Sequence, residues 1–388
     1  MTSSAPLLRP LESRTVDVLW LAGEHSGDQH AALVAKDLAE RHPELRQAAV
    51  GGPALAAARI DVLHDLTENS VVGLVEVLRH YGYFKALFAE TLEWIRTHQV
   101  RVLVLVDYPG FNLRLAKALH EAGLTRKSGG PLAIYYYISP QIWAWKGKRR
   151  FEMAQLLDEL GVIFPFEIES FADTELDVRF VGHPFLAEGH APPVHYDPAG
   201  DLLLLAGSRL QPVRRILPSL LEGVREARRK GILAEDVSVS TLVPNEALAS
   251  VVRSTAEEKG VELTIYHTGT PVGARAVLTS SGTMSLACAL AGIPGAIVYR
   301  AHPVTYWIGR SLVKIPYLGI ANLILQRPMY PEFIQGQASP SRLAGALAEA
   351  LSPQGVARTK QDQAELREAL SPPGEATAAE RIAQLLGS

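Results

Sequence analysis

One carboxylate and one guanidinium close apolar runs, where chemistry needs a charge held out of bulk water. Asp107 ends VRVLVLVD (100–107), ahead of Tyr-Pro-Gly-Phe-Asn. A carboxylate at a dry strand end has a raised pKa and suits a general base. The same position also suits a cap on the following helix, and both readings stay open. Arg209 ends DLLLLAGSR (201–209), with Pro212 placed to start a helix. Its planar fork matches phosphate oxygens, the alternative being a surface ion pair. Ser280, Ser281, Gly282 and Thr283 lead into an Ala/Leu-rich run that stops at Gly292 and Pro294. Free N–H groups and hydroxyls at that start can cradle a diphosphate, or simply cap the helix. Two such phosphate-type sites in one half of the chain suggest a nucleotide diphosphate.

LAGEHSGDQH (21–30) raises the same question. Ser26 and Gln29 have the spacing of a capping box, and Asp28 suits the first helical turn. This leaves Glu24 unexplained, and also the pair Gly23 and Gly27 flanking an acid. A ligand-facing role for Glu24, Ser26, Gly27 and Asp28 therefore stands beside plain capping. The stretch is not Gly-x-Gly-x-x-Gly, so it does not read as a dinucleotide site. In YYYISPQIWAWKGKRR (135–150), Trp143 and Trp145 adjoin Lys146, Lys148, Arg149 and Arg150. That mixture suits a lipid–water boundary, a phosphate on a second substrate, or a solvated helix start over two core tryptophans. His183 and His302 stand isolated and read as structural. There is no Asp-x-Asp, no His/Cys ligand spacing and no Gly-x-Ser-x-Gly.

The elements that must position these groups alternate. VDVLWLAG (16–23), VRVLVLVD (100–107) and LAIYYYIS (132–139) read as buried strands, with helical periodicity between them, as in 85–98. Strands buried on both faces and separated by helices make a parallel sheet. HAPPVHYDPAG (190–200) reads as a linker, after which the rhythm restarts with strands at 201–209, 236–244, 261–267, 274–282 and 295–300. The expectation is two doubly wound, Rossmann-like domains, 1–190 and 191–388, the second carrying a helical tail from about Ser341. Facing one another, they would make a cleft. Ligands in such sheets bind beyond the carboxyl ends of the strands, where every group above stands.

The 388 residues suit two domains. A net charge of −3 argues against a general nucleic-acid binder. The single Cys288 excludes an intramolecular disulfide and a thiolate metal site, and fits a reducing, cytoplasmic setting. Glu12, Arg14 and Asp17 ahead of the first apolar run do not read as a signal peptide, and no run is long enough to span a bilayer.

Taken together and in order, AGEHSGD, VGLVEVL, VDYPGFN, YYISPQIWAW, FPFE, FVGHP, GSR, SSGT, the YR at Tyr299, ANLI and PEFIQ resemble the lipid A disaccharide synthase family over nearly the whole chain. The resemblance implies a two-domain GT-B fold and a metal-independent, inverting glycosyl transfer without a cofactor. It implies a UDP-linked diacylglucosamine donor and an acylated glucosamine 1-phosphate acceptor, joined β-1,6 with release of UDP. It implies a cytoplasmic protein resting on the inner face of the inner membrane, and leaves a homodimer open. Carried onto this chain, Asp107 is the base, in a stretch that includes Phe111 and Asn112. Glu24, Ser26, Gly27 and Asp28 line the acceptor side or position Asp107. Ser208 and Arg209, with Ser281, Gly282 and Thr283, hold the departing UDP. Asn322, Glu332 and Gln335 fall near the donor.

Two positions depart from the family pattern: Pro212 and Ala287 stand where acids are common. Two other readings accompany the transferase: a UDP-sugar 2-epimerase with no acylated acceptor, and a non-catalytic relative that binds lipid or a partner.

Overall fold

The computed structural model describes residues 6–11, 15–67, 81–302, 315–372, 374 and 377–387. VGLVEVL (72–78) lies outside the described residues. The chain divides into two compact units, one of Met1–His190 with Leu370–Ser388, the other Ala191–Ala369.

The first unit holds seven strands: β1 Thr15–Ala22, β2 Gln47–Gly51, β3 Asp61–Asp65, β4 Gln99–Val106, β5 Ala133–Tyr137, β6 Glu159–Val162 and β7 Asp177–Phe180. All pair in parallel in the order β3-β2-β1-β4-β5-β6-β7. Its helices are α1 His25–Arg41, α2 Pro53–Ala57, α3 Tyr81–Thr97, α4 Pro109–Glu121 and α5 Arg149–Leu156. Strands covered on both faces must be apolar throughout. Leu19, Trp20 and Leu21 of β1, Leu103, Val104 and Leu105 of β4 and all of β5 are accordingly buried.

The second unit repeats the scheme with β8 Val194–Leu205, β9 Val239–Val243, β10 Thr264–His267, β11 Val272–Ser280, β12 Gly295–Tyr299 and β13 Glu332–Ile334. Its parallel order is β10-β9-β8-β11-β12-β13. Its helices are α6 Leu210–Arg229, α7 Glu246–Lys259, α8 Thr283–Leu290, α9 Ile320–Leu325, α10 Pro340–Ala350 and α11 Pro353–Leu370. Strand order reverses between β1 and β4 in one sheet and between β8 and β11 in the other. Those two switch points open the crevices that bind ligands in this class of fold.

Two expectations change. The presumed linker is partly strand: Val194 pairs with Val272 and His195 with Gly273, then residues 196–200 bulge out before Asp201 resumes opposite Ala274. Proline and glycine there mark an irregularity within a strand. The tail divides too. The last helix, α12 Ala378–Gly387, packs on the first unit, not the second. Arg381 holds it there, pairing with the buried Glu159 at 2.6 Å and with Asp177 at 3.3 Å. Arg101 and Arg126 donate to the carbonyls of Leu386 and Leu385.

Candidate functional site

At the switch point of the first sheet, β1 delivers Glu24 and β4 delivers Asp107. The chain turns sharply there, with Asp107 at φ 43° and Tyr108 at φ 46°. Two consecutive non-glycine residues in the left-handed region cost of order 1–3 kcal/mol each, so the surroundings must impose them. Asn112 does so from inside α4, its amide donating to the carbonyls of Val106 at 3.2 Å and Asp107 at 2.7 Å. The Tyr136 hydroxyl donates to the same Asp107 carbonyl, and the Asp107 N–H donates to Tyr137. Tyr108, not Asp107, occupies the N-cap of α4, and it makes no side-chain cap. The capping alternative for Asp107 therefore falls away, and beyond the Tyr108 backbone N–H its carboxylate keeps acceptor capacity for another use. Burial, reinforced by the charge of Glu24, pushes that carboxyl up to about 6. Gly23 lets the Tyr108 ring come close, since a Cβ there would clash with it.

Four candidates from the first unit take different places from those expected. Helix α1 starts one residue before Ser26, with Glu24 at the N-cap and no side-chain cap, so the Ser26–Gln29 capping box does not form. Ser26 is exposed. Asp28 is 1 % exposed and accepts N–H groups of Gly52 at 2.8 Å, Ala54 at 2.8 Å and Leu55 at 3.3 Å. Its carboxylate is consumed in capping α2, which has no cap of its own, and does not face a ligand. Gly27 is buried beside Val106. Phe111 and Asn112 are buried as well, Phe111 against Phe88 and Tyr108. They shape the turn that presents Asp107 and offer no surface to substrate.

Groups suited to holding an anion gather at the switch point of the second sheet. A pocket of about 440 Å³ is lined by Ser208, Arg209, Ser281, Gly282 and Thr283 among others. Arg209 is the N-cap of α6 and Gly282 that of α8, so two helix N-termini open onto one space. Their unsatisfied N–H groups and dipoles favour an anion. Gly207, at φ 118°, lets the loop pass Pro212. Leu205, Pro212, Ile216, Leu242 and Pro244 supply an apolar wall. Ala287 is buried inside α8 and does not line this pocket.

Asn322, Glu332 and Gln335 stand behind the pocket instead of in it. Glu332 accepts the N–H groups of Leu318 and Gly319 and the amide of Asn322. Asn322 is fully buried and exchanges bonds with both the N–H and the carbonyl of Tyr330. The Leu318 carbonyl in turn accepts from the Ser281 hydroxyl at 2.7 Å. Gln335 pairs with both backbone groups of Ala301. All three maintain the wall.

Arg215 and Arg300 also line the pocket, and sequence reasoning gave them no role. The strand-end rule that singled out Asp107 applies equally to Arg300, directly after GAIVY. Glu167 was missed too. It is buried, accepts the Phe164 N–H at 3.0 Å, and desolvation pushes it up to about 8. Trp143 packs edge-on against Phe166, whereas Trp145 is 53 % exposed under Lys146. His183 is a buried hydrogen-bonder whose Nδ1 accepts the Phe185 N–H, as expected of a structural histidine. No cluster suited to a metal ion occurs among the described residues.

The model of the lipid-A-disaccharide synthetase family matches residues 18–386. The chain belongs to that family. It is a glycosyltransferase of lipid A biosynthesis. A lipid-A-disaccharide synthase of Geobacter metallireducens is 33 % identical over 95 % of this chain and 96 % of its own length. Among solved structures, the glycotransferase of kitacinnamycin superposes with a TM-score of 0.58 at 12 % identity, covering 97 % of this chain and all (100 %) of that one. The UDP-GlcNAc 2-epimerase of Neisseria meningitidis, bound to UDP-GlcNAc, gives 0.55 at 7 % identity over 96 % and 98 %. These two likenesses carry the fold, that of the GT-B enzymes. No helix among the described residues is long and apolar enough to cross a membrane.

Proposed function

We propose that the chain joins a UDP-linked 2,3-diacylglucosamine donor to an acylated glucosamine 1-phosphate acceptor through a β-1,6 bond, with inversion and release of UDP. The observation that carries this reading is the desolvated carboxylate of Asp107 on its imposed left-handed turn. With its pKa raised to about 6, Asp107 is ionised at neutral pH yet basic enough to take a proton. It accepts the acceptor 6-hydroxyl proton as that oxygen attacks the anomeric carbon. Positive charge develops on the sugar ring, as in glycoside hydrolysis. Glu24 holds a second carboxylate close by.

Negative charge develops on the departing UDP and must be met by fixed donors. Arg209, the Ser208 hydroxyl and the N-termini of α6 and α8 supply them from the 440 Å³ pocket. A nucleotide-sugar ligand is supported by the epimerase neighbour that carries UDP-GlcNAc. No bound metal is invoked, because these groups carry the charge.

Trp145, Phe151 and Ile168 are exposed large apolar side chains in a segment that also holds Lys146, Lys148 and Arg149. That mixture suits the inner face of the cytoplasmic membrane, from which acylated substrates come. A homodimer is compatible with this reading.

The test is a UDP-release assay with both acylated sugars. Release that requires both supports the transfer. Sugar interconversion with donor alone overturns it in favour of an epimerase, and the absence of both activities overturns it in favour of a non-catalytic relative.

A further inference from the structure

The donor pocket carries three guanidinium groups, Arg209, Arg215 and Arg300, and among the described residues none has a carboxylate partner. Lining residues of the pocket include no acid either. Arg209 and Arg215 are exposed, whereas Arg300 is half-buried, and natural proteins pair a half-buried cation or reserve it for an anionic ligand.

Arg300 is the most constrained of the three. It is only partly exposed and follows the buried strand β12. One terminal nitrogen donates to the Ala338 carbonyl at 3.1 Å, and its Nε is buried without an acceptor. The next residue is clamped from both sides: the Gln335 side-chain oxygen accepts the Ala301 N–H at 3.0 Å, and its amide donates to the Ala301 carbonyl at 3.1 Å. Gln335 itself sits at φ 52°, a left-handed conformation costly for a non-glycine residue. Local strain and two hydrogen bonds are thus spent on fixing the backbone beside one underpaired arginine.

We propose that Arg300 binds the terminal phosphate of the nucleoside diphosphate, and that Gln335 is the positioning residue that sets its fork. This deepens the proposed function and rests on it. It also gives this chain a way to hold the nucleotide through its phosphates, at a pocket where Pro212 stands in place of an acid.

The experiment is calorimetric titration of the full chain with UDP, UMP and uridine, for wild type and for Arg300→Gln, Arg300→Lys and Gln335→Ala. Arg300→Gln weakens UDP roughly 10- to 100-fold, the range for a charge-assisted pair, and leaves UMP and uridine within about twofold. Arg300→Lys recovers part of the loss, and Gln335→Ala lowers the UDP-to-UMP preference by less than Arg300→Gln does. An equal loss for all three ligands, or no loss for UDP, overturns the assignment, and thermal melts separate a binding defect from a folding one. If wild type does not prefer UDP to uridine at all, the proposed donor site fails instead, a result distinct from the failure of Arg300.

Discussion

Glu24 and Asp107, from the ends of neighbouring strands β1 and β4, share the switch point of the first sheet, and the charge of one raises the pKa of the other. Residues 83 positions apart in sequence are thereby coupled. Burial contributes more than Glu24 to the shift, and the Tyr108 backbone N–H opposes both. A base made in this way is tuned by its surroundings, and its tuning can be measured.

Asp107→Asn is expected to lower turnover by roughly 10²–10⁴-fold while UDP affinity is retained. Wild-type turnover in that variant would remove Asp107 from the chemistry.

In the wild-type enzyme kcat/KM falls as pH drops through about 6, because the base must be ionised. Glu24→Gln removes the like charge, so this acid limb moves to lower pH. It does not reach the ordinary carboxylate range, since desolvation remains. A limb that stays in place in Glu24→Gln shows that the two carboxylates do not communicate.

The same shift is a stability statement. A carboxyl whose folded pKa lies above its unfolded value favours folding while protonated, at pH below about 4. That contribution is lost as pH rises through about 6. Asp107→Asn therefore stabilises the fold at pH 8, by up to about 3 kcal/mol, and by little near pH 4. Asparagine tolerates the left-handed backbone at this position. Denaturant unfolding at the two pH values checks the sign.

Asp28→Ala leaves the N–H groups of Gly52 and Leu55 buried without an acceptor. A loss of about 1–3 kcal/mol in unfolding free energy is expected, with UDP affinity unchanged. An unaltered midpoint combined with weaker acceptor binding would return Asp28 to the substrate-binding set.

Arg209→Ala removes a guanidinium from the pocket onto which two helix N-termini open and weakens UDP by roughly 10- to 100-fold. Calorimetry that finds equal affinity places the diphosphate elsewhere.

Parallel-sheet strands must be apolar on both faces, so they announce themselves as continuous runs, and Asp107 and Arg209 were visible as the charges that end them. The motif order carried the family. Asp28 and Asn322 resisted the same reading because a buried polar residue that caps a helix has the same letter as one that meets a ligand. Only the acceptance of three N–H groups by Asp28, and the pairing of Asn322 with Tyr330 and Glu332, separates the two cases.

Local sequence determined the elements, since period, apolar content and turn residues act over a few positions. Which strand neighbours which, and so whether Glu24 reaches Asp107 or Ser281 shares a pocket with Arg209, depends on contacts dozens of residues apart. The final helix returns to the first sheet for the same reason: Glu159, buried in β6, lacks a counter-charge until Arg381 arrives. Long-range burial of that kind leaves no periodic trace along the chain, and the folded structure alone decides it.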